Sequence, residues 1–135
     1  RFEKLCGDPL FIYDGGHNPQ GVAAAAKTFE RRYGKGVVIM GVMADKDYEV
    51  EIQSLLPVAE KFVTVTPDNP RALSAEELAA KINALGGDAV FAQTVKAGVA
   101  KAAKLAAGSV PVFALGSLYM YGEIKESLEK LFLQS

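Results

Sequence analysis

The sequence predicts an α/β fold: a Rossmann-like, mostly parallel, doubly wound sheet of about six strands flanked by helices. Three observations carry that expectation. Short β-branched or aromatic runs bounded by Gly, Pro or Asp alternate with helix-length amphipathic runs along the whole chain. The run Val37–Val42 is near-continuously apolar, as expected of a strand covered on both faces. Strands that alternate with helices of this length build βαβ units and therefore pair in parallel.

Each element has its own warrant. Phe2–Cys6 offers a strand that turns back through Gly7-Asp8-Pro9 into the next, Pro9–Tyr13. Asn18 is a good N-cap and Pro19 a good first helical residue. Behind them Val22, Ala25, Ala26, Phe29 and Tyr33 share a face, and Gly34 stops the helix. Gly36–Val42 is the third strand, and Tyr48–Leu56 a helix ended by Pro57. Lys61–Thr66 follows as a strand. Ser74-Ala75-Glu76-Glu77 reads as a capping box before the stripe Leu78, Ile82 and Leu85, with Gly86 as the stop. Ala89–Ala92 is a short strand. Thr94–Ala107 is an Ala-rich helix whose small face, Val95, Val99, Ala102 and Ala106, suits close packing on a sheet. Pro111–Leu115 is the last strand, and Leu118–Leu133 the closing helix with Tyr121, Ile124, Leu128 and Leu131 apolar. No linker or repeat interrupts the pattern, so residues 1–135 read as a single domain.

Composition bounds the function. The 15 Lys+Arg against 16 Asp+Glu give a net charge of −1, no basis for nucleic acid or an anionic membrane as partner. The single Cys6 forms no internal disulfide and fits a reducing compartment. No apolar run approaches the roughly 20 residues that span a bilayer. There is no signal-peptide pattern, and Arg1 in place of Met reads as an excised or processed segment. A soluble cytoplasmic domain is expected.

In such sheets ligands bind beyond the carboxyl ends of the strands. The predicted strands leave into Asp14-Gly15-Gly16-His17-Asn18-Pro19, Ala44-Asp45-Lys46-Asp47, Pro67-Asp68-Asn69-Pro70-Arg71 and Gly116-Ser117. The opposite edge receives bland turns such as Gly34-Lys35-Gly36 and Gly86-Gly87-Asp88. In the first loop two glycines let a ligand approach the backbone, and the helix start favours an anion. Asp14 can accept from hydroxyls and His17 can donate to a carboxylate or phosphate. Two caps and a solvated His explain that loop equally well. Asp45-Lys46-Asp47 reads first as a solvated turn with Asp47 capping a helix. Pro67 and Pro70 stiffen the loop around Arg71, a carboxylate clamp or a plain surface turn. Ser117 follows Gly116 where Ser is a common cap, and no Gly-x-Ser-x-Gly surrounds it. With one His, a His-based metal centre or a Ser-His-Asp hydrolase has little support. Gly34-Lys35-Gly36 is no P-loop, since it lacks the Ser/Thr and precedes a strand. A small-molecule module and one half of a larger site both fit.

Taken together, the loops resemble a known family. Asp14-Gly15-Gly16-His17-Asn18-Pro19 resembles the Asp-Gly-Ala-His-Asn-Pro motif opening the C-terminal domain of the Mur ligase superfamily, with the folylpolyglutamate and dihydrofolate synthases most similar within it. Ala44–Asp47, Thr66–Leu73 and Ala114–Tyr119 are similar in order and spacing, so the likeness runs from Arg1 to about Leu133. It implies an ADP-forming ligase in which ATP phosphorylates a carboxylate of a folate or pteroate and the amine of L-glutamate attacks the acyl phosphate. It also implies a separate N-terminal ATPase domain carrying the P-loop, the Mg²⁺ ligands and most of the folate pocket, in a monomeric enzyme that this domain alone does not make active. Carried over by residue, Asp14 and Arg1 fall on ATP-binding positions; His17, Ser117 and Arg71 fall near the incoming glutamate. Gly15, Gly16, Asn18 and Lys46 support the loops. No residue is assigned as catalytic with certainty, His17 being the candidate, and none as a metal ligand. Gly16 departs from the family's Ala. A cell-wall Mur ligase domain and a stand-alone nucleotide- or amino-acid-binding module are the alternatives.

Overall fold

The computed structural model describes residues 2–7 and 10–133. Arg1, Asp8 and Pro9 lie outside them, and with them the Arg1 site assignment and the middle of the first turn. Six strands form one sheet: β1 (Phe2–Gly7), β2 (Leu10–Asp14), β3 (Gly36–Met40), β4 (Ala59–Thr64), β5 (Ala89–Phe91) and β6 (Val112–Leu115). Their order is β1-β2-β6-β3-β4-β5, antiparallel only between β1 and β2. The helices are α1 (Pro19–Tyr33), α2 (Tyr48–Leu55), α3 (Ala75–Ala84), α4 (Val95–Ala106) and α5 (Tyr121–Leu128).

Strand order decides which face each helix covers. The chain steps outward from β3 to β4 to β5, then returns in one crossover to β6, between β2 and β3. Right-handed crossovers taken in opposite directions lie on opposite faces. Accordingly α1, α2 and α3 bury Val22, Phe29, Ile52 and Ile82 against Ile12, Val38, Phe62 and Phe113. On the other side α4 and α5 bury Val95, Val99 and Ile124 against Phe11, Ile39 and Val112. Alternate residues of β6 thus serve two cores, which is why its sequence is apolar throughout. Phe29 stacks on Phe113 with ring centroids 4.4 Å apart.

Local chemistry sets the boundaries. Asn18 Oδ1 accepts from Gly21 N at 2.8 Å, and Gly34 ends α1 at φ +81°. Ser74 Oγ accepts from Glu77 N at 3.2 Å, and Thr94 Oγ1 accepts from Ala97 N at 3.1 Å. Gly98 lets α4 settle onto the sheet, because a Cβ there would collide with Val65 Cγ1.

Several boundaries differ from the sequence reading. β3 ends at Met40, since Gly41 and Val42 already belong to the exit loop, and β4 starts earlier, at Ala59. Pro57 sits inside a tight turn, Leu56–Val58, that continues α2 rather than stopping it outright. Asp47 stands at the N-cap of α2 without a side-chain capping bond. The closing helix is three pieces: a tight turn Leu118–Met120, α5, and a wider π turn Glu129–Leu133. The wider turn rotates the apolar stripe, leaving Leu131 45% exposed while the Phe132 ring approaches Phe11 at 6.5 Å.

Candidate functional site

Because β2, β6, β3 and β4 run parallel, their carboxyl ends share one edge, where two clefts adjoin at His17. One, of about 350 Å³, is lined by Asp14, Gly15, Gly16, Asn18 and the first turns of α1. The other, of about 410 Å³, gathers His17, Lys46, Arg71 and Ser117, each from a different exit loop, with Met43 and Tyr119 beside them.

The shared loop is shaped from within. Asp14 is 8% exposed, and its Oδ1 accepts from Gly16 N at 2.7 Å. A Cβ on Gly16 would stand 3.0 Å from that oxygen and 3.0 Å from the Gly21 carbonyl carbon. The Ala of the family motif would therefore require a small shift of the first turn of α1. His17 Nδ1 lies 3.1 Å from Gly15 O. A carbonyl only accepts, so this contact makes Nδ1 the donor and leaves Nε2 for a ligand.

Gly116 and Ser117 lock onto that loop. Gly116 N donates to Gly16 O at 3.2 Å. Gly116 has φ +113°, and a Cβ there would run into Gly41 O, so only glycine fits. Ser117 is 2% exposed; its Oγ accepts from Tyr119 N at 3.1 Å, which leaves the hydroxyl hydrogen to donate. The capping bond thus leaves this side chain able to donate into the cleft. Tyr13 OH donates to Ser117 O at 3.0 Å. Burial, with the neighbouring Asp14 carboxylate adding to it, pushes the Tyr13 phenol up to about 12, so it remains a donor at neutral pH.

The other two loops are stitched together. Ala44 N donates to Arg71 O at 2.7 Å, and Leu73 N donates to Val42 O at 2.9 Å. Asn69 Oδ1 accepts from Arg71 N at 2.9 Å. These bonds hold the Arg71 main chain while its side chain stays 59% exposed, and Lys46 sits in a turn closed by its N–H on Met43 O at 3.2 Å. An imidazole, an ammonium, a guanidinium and a hydroxyl line the second cleft, and among the described residues no acidic side chain does. Such a lining receives anions, and a guanidinium favours a planar carboxylate.

Three wall residues escaped the sequence reading: Met43, Leu118 and Tyr119. Leu118 and Tyr119 are 57% and 55% exposed at the mouth of the second cleft. The available signal was their position, two large apolar residues just ahead of the α5 stripe and out of phase with it. Among the described residues no group of three or more His, Cys, Asp or Glu could hold a metal. No helix there is long and apolar enough to cross a membrane.

A family model described as "Mur ligase, glutamate ligase domain" matches residues 1–118. The chain is 31% identical over 137 residues to a "Probable bifunctional folylpolyglutamate synthase/dihydropteroate synthase" of Halobacterium salinarum, covering 100% of this chain and 17% of that protein. It is 27% identical over 133 residues to the folylpolyglutamate synthase of Lacticaseibacillus casei, covering 95% and 29%. A Mycobacterium tuberculosis folylpolyglutamate synthase solved with ADP superimposes with a TM-score of 0.84 at 26% identity, covering 92% of this chain and 31% of that one. The chain therefore spans less than a third of the length of each of these relatives.

Proposed function

Since this chain belongs to the Mur ligase glutamate ligase domain family, we propose that it is the amino-acid-binding part of an ATP-dependent ligase that adds L-glutamate to a folate. The observation that carries the reading is convergence. His17, Lys46, Arg71 and Ser117 come from four exit loops and line one cleft, and among the described residues no acidic side chain lines it with them. A dicarboxylic amino acid meets there both cationic and neutral donors.

In this reading the second cleft orients L-glutamate so that its amine faces an acyl phosphate held by an ATPase domain. The amine forms a C–N bond with the acyl carbon, phosphate leaves, and the amine gives up a proton. Holding both carboxylates matters because an acyl phosphate that waits is open to water. Arg71 is the planar clamp, Ser117 supplies a hydroxyl donor, and His17 offers Nε2. The first cleft suits part of a nucleotide: a carboxylate for ribose hydroxyls, a glycine pair for close approach, and a helix start for an anion. ATP would supply the phosphoryl group, and the ATPase domain would hold its triphosphate and Mg²⁺. Arg1 is assigned to the nucleotide on the family motif alone.

The test is kinetics in the full-length enzyme with glutamate and ATP varied separately. Ser117→Ala and Arg71→Ala each remove a donor to a charged group, worth about 1.5–3 kcal/mol, and His17→Ala removes the Nε2 contact. The KM for glutamate should rise about ten- to a hundredfold, and that for ATP much less. If all three leave the glutamate KM unchanged, the amino acid is held elsewhere and the reading fails.

A further inference from the structure

The Arg71 guanidinium already has a carboxylate partner. Nη1 lies 3.8 Å from Asp45 Oδ2, across the gap between the loop leaving β3 and the loop leaving β4. Both side chains are 59% exposed, so water and salt weaken the pair. The main chains beneath are less yielding. Ala44 N on Arg71 O, Leu73 N on Val42 O, and an antiparallel bridge between Met43 and Ala72 fix the two loops side by side. Backbone thus keeps carboxylate and guanidinium within reach of each other, while the contact between them is single and long. An incoming carboxylate can offer the guanidinium two parallel bonds in its place. Arg71 lines the second cleft and Asp45 does not.

We propose that Asp45 is an internal substitute for a ligand carboxylate: it holds Arg71 at the rim of the empty cleft, and the amino acid's carboxylate displaces it. The proposal rests on Arg71 being the carboxylate clamp. Asp45 is then a positioning residue acting through Arg71. It gives the guanidinium a defined place while the cleft is empty and sets the amino-acid concentration at which the exchange occurs.

A double-mutant cycle in the full-length ligase tests this, with L-glutamate varied at saturating ATP. Asp45→Asn keeps the side-chain size and removes the charge. It should lower the glutamate KM about two- to fivefold, the worth of one exposed ion pair, with kcat and the ATP KM unchanged. In an Arg71→Ala background the same substitution should do nothing. An equal drop in that background would mean that Asp45 merely repels anions, which overturns displacement. If Arg71→Ala raises the glutamate KM while Asp45→Asn leaves it unchanged or raises it, displacement fails and the clamp survives. If Arg71→Ala has no effect, the clamp fails and the proposal with it.

Discussion

Glu51 offers the sharpest test of how this fold is held together. It is 0% exposed on α2, and neither carboxylate oxygen has a hydrogen-bond partner. Burial pushes its carboxyl up from the ordinary 4.5 to about 7; Asp47 adds to the rise and Lys46 opposes it. The pH dependence follows from the raised value. Below about pH 4.5 folded and unfolded chains both hold the proton, and the contribution to stability is at its fullest. As pH rises, the unfolded chain releases its proton first, so stability falls until the folded carboxyl ionises near 7. The interval between 4.5 and about 7 corresponds to a loss of roughly 3 kcal/mol. That is a large share of the roughly 5–15 kcal/mol that holds an ordinary domain together. Glu51→Met keeps a similar length and helix preference and removes the ionisable group. At pH 8 it should raise Tm by about 10 °C, and at pH 5 by much less. Glu51→Gln should also flatten the pH profile, at lower stability, because its amide is left unpaired. Thermal unfolding followed by circular dichroism between pH 5 and 8 measures all three proteins. Titrations they share cancel in the differences. Parallel profiles for wild type and Glu51→Met, or a loss of stability in that variant at pH 8, would refute the reasoning.

Three further outcomes are expected. Gly116→Ala should cost about 1–3 kcal/mol from backbone strain alone, with the clash against Gly41 O added to that. Chemical denaturation measures the loss, and a change within about 0.5 kcal/mol would show that the turn is less constrained than its geometry implies. Asp14→Ala in the full-length enzyme should lower kcat/KM for ATP about ten- to a hundredfold through one lost charge-assisted contact. Unchanged ATP kinetics would remove Asp14 from the nucleotide site. The 135-residue chain alone should unfold cooperatively, since it carries a complete sheet with two cores, yet release no ADP from ATP; folate-dependent ATP hydrolysis by it would contradict the proposed division of labour.

The fold was legible because its signals are local and repeated. Asn18-Pro19, Ser74 and Thr94 mark helix starts by capping chemistry, and Gly34 and Gly86 mark ends by positive φ. The apolar run of β3 reports coverage on both faces directly. Strand order was not legible, because nothing within β6 says that it inserts between β2 and β3; that follows from the crossover of α4. Leu131 was misplaced since a helical stripe assumes constant pitch, and the π turn breaks it. Glu51 was invisible for a related reason. A Glu in the first turn of a helix reads as a favourable charge at a solvated end, and only the packing of α2 shows it buried. The grouping of the candidate site residues was legible from the topology more than from any single motif. Each loop alone was open to a bland reading, and Ser117 does cap a turn, yet parallel strands bring all four loops to one edge.

That edge is built as a unit, which bears on how such a domain would work. The loop after β2 is joined to the loop after β6 by Gly116 N on Gly16 O, and the loop after β6 packs on Gly41 of the loop after β3. The loops after β3 and β4 are joined in turn through Ala44 and Leu73. No one of these loops can travel far alone without breaking a bond to its neighbour. The two clefts, sharing His17, therefore keep a fixed geometry relative to each other. Under the proposed function, a domain made this way would deliver its ligands by moving as a body, so that nucleotide contact and amino-acid placement would be completed in one closure. Under the proposed reaction this coupling has a chemical purpose. The acyl phosphate forms only when the nucleotide is engaged, and the same closure then brings the amine to it before water can compete.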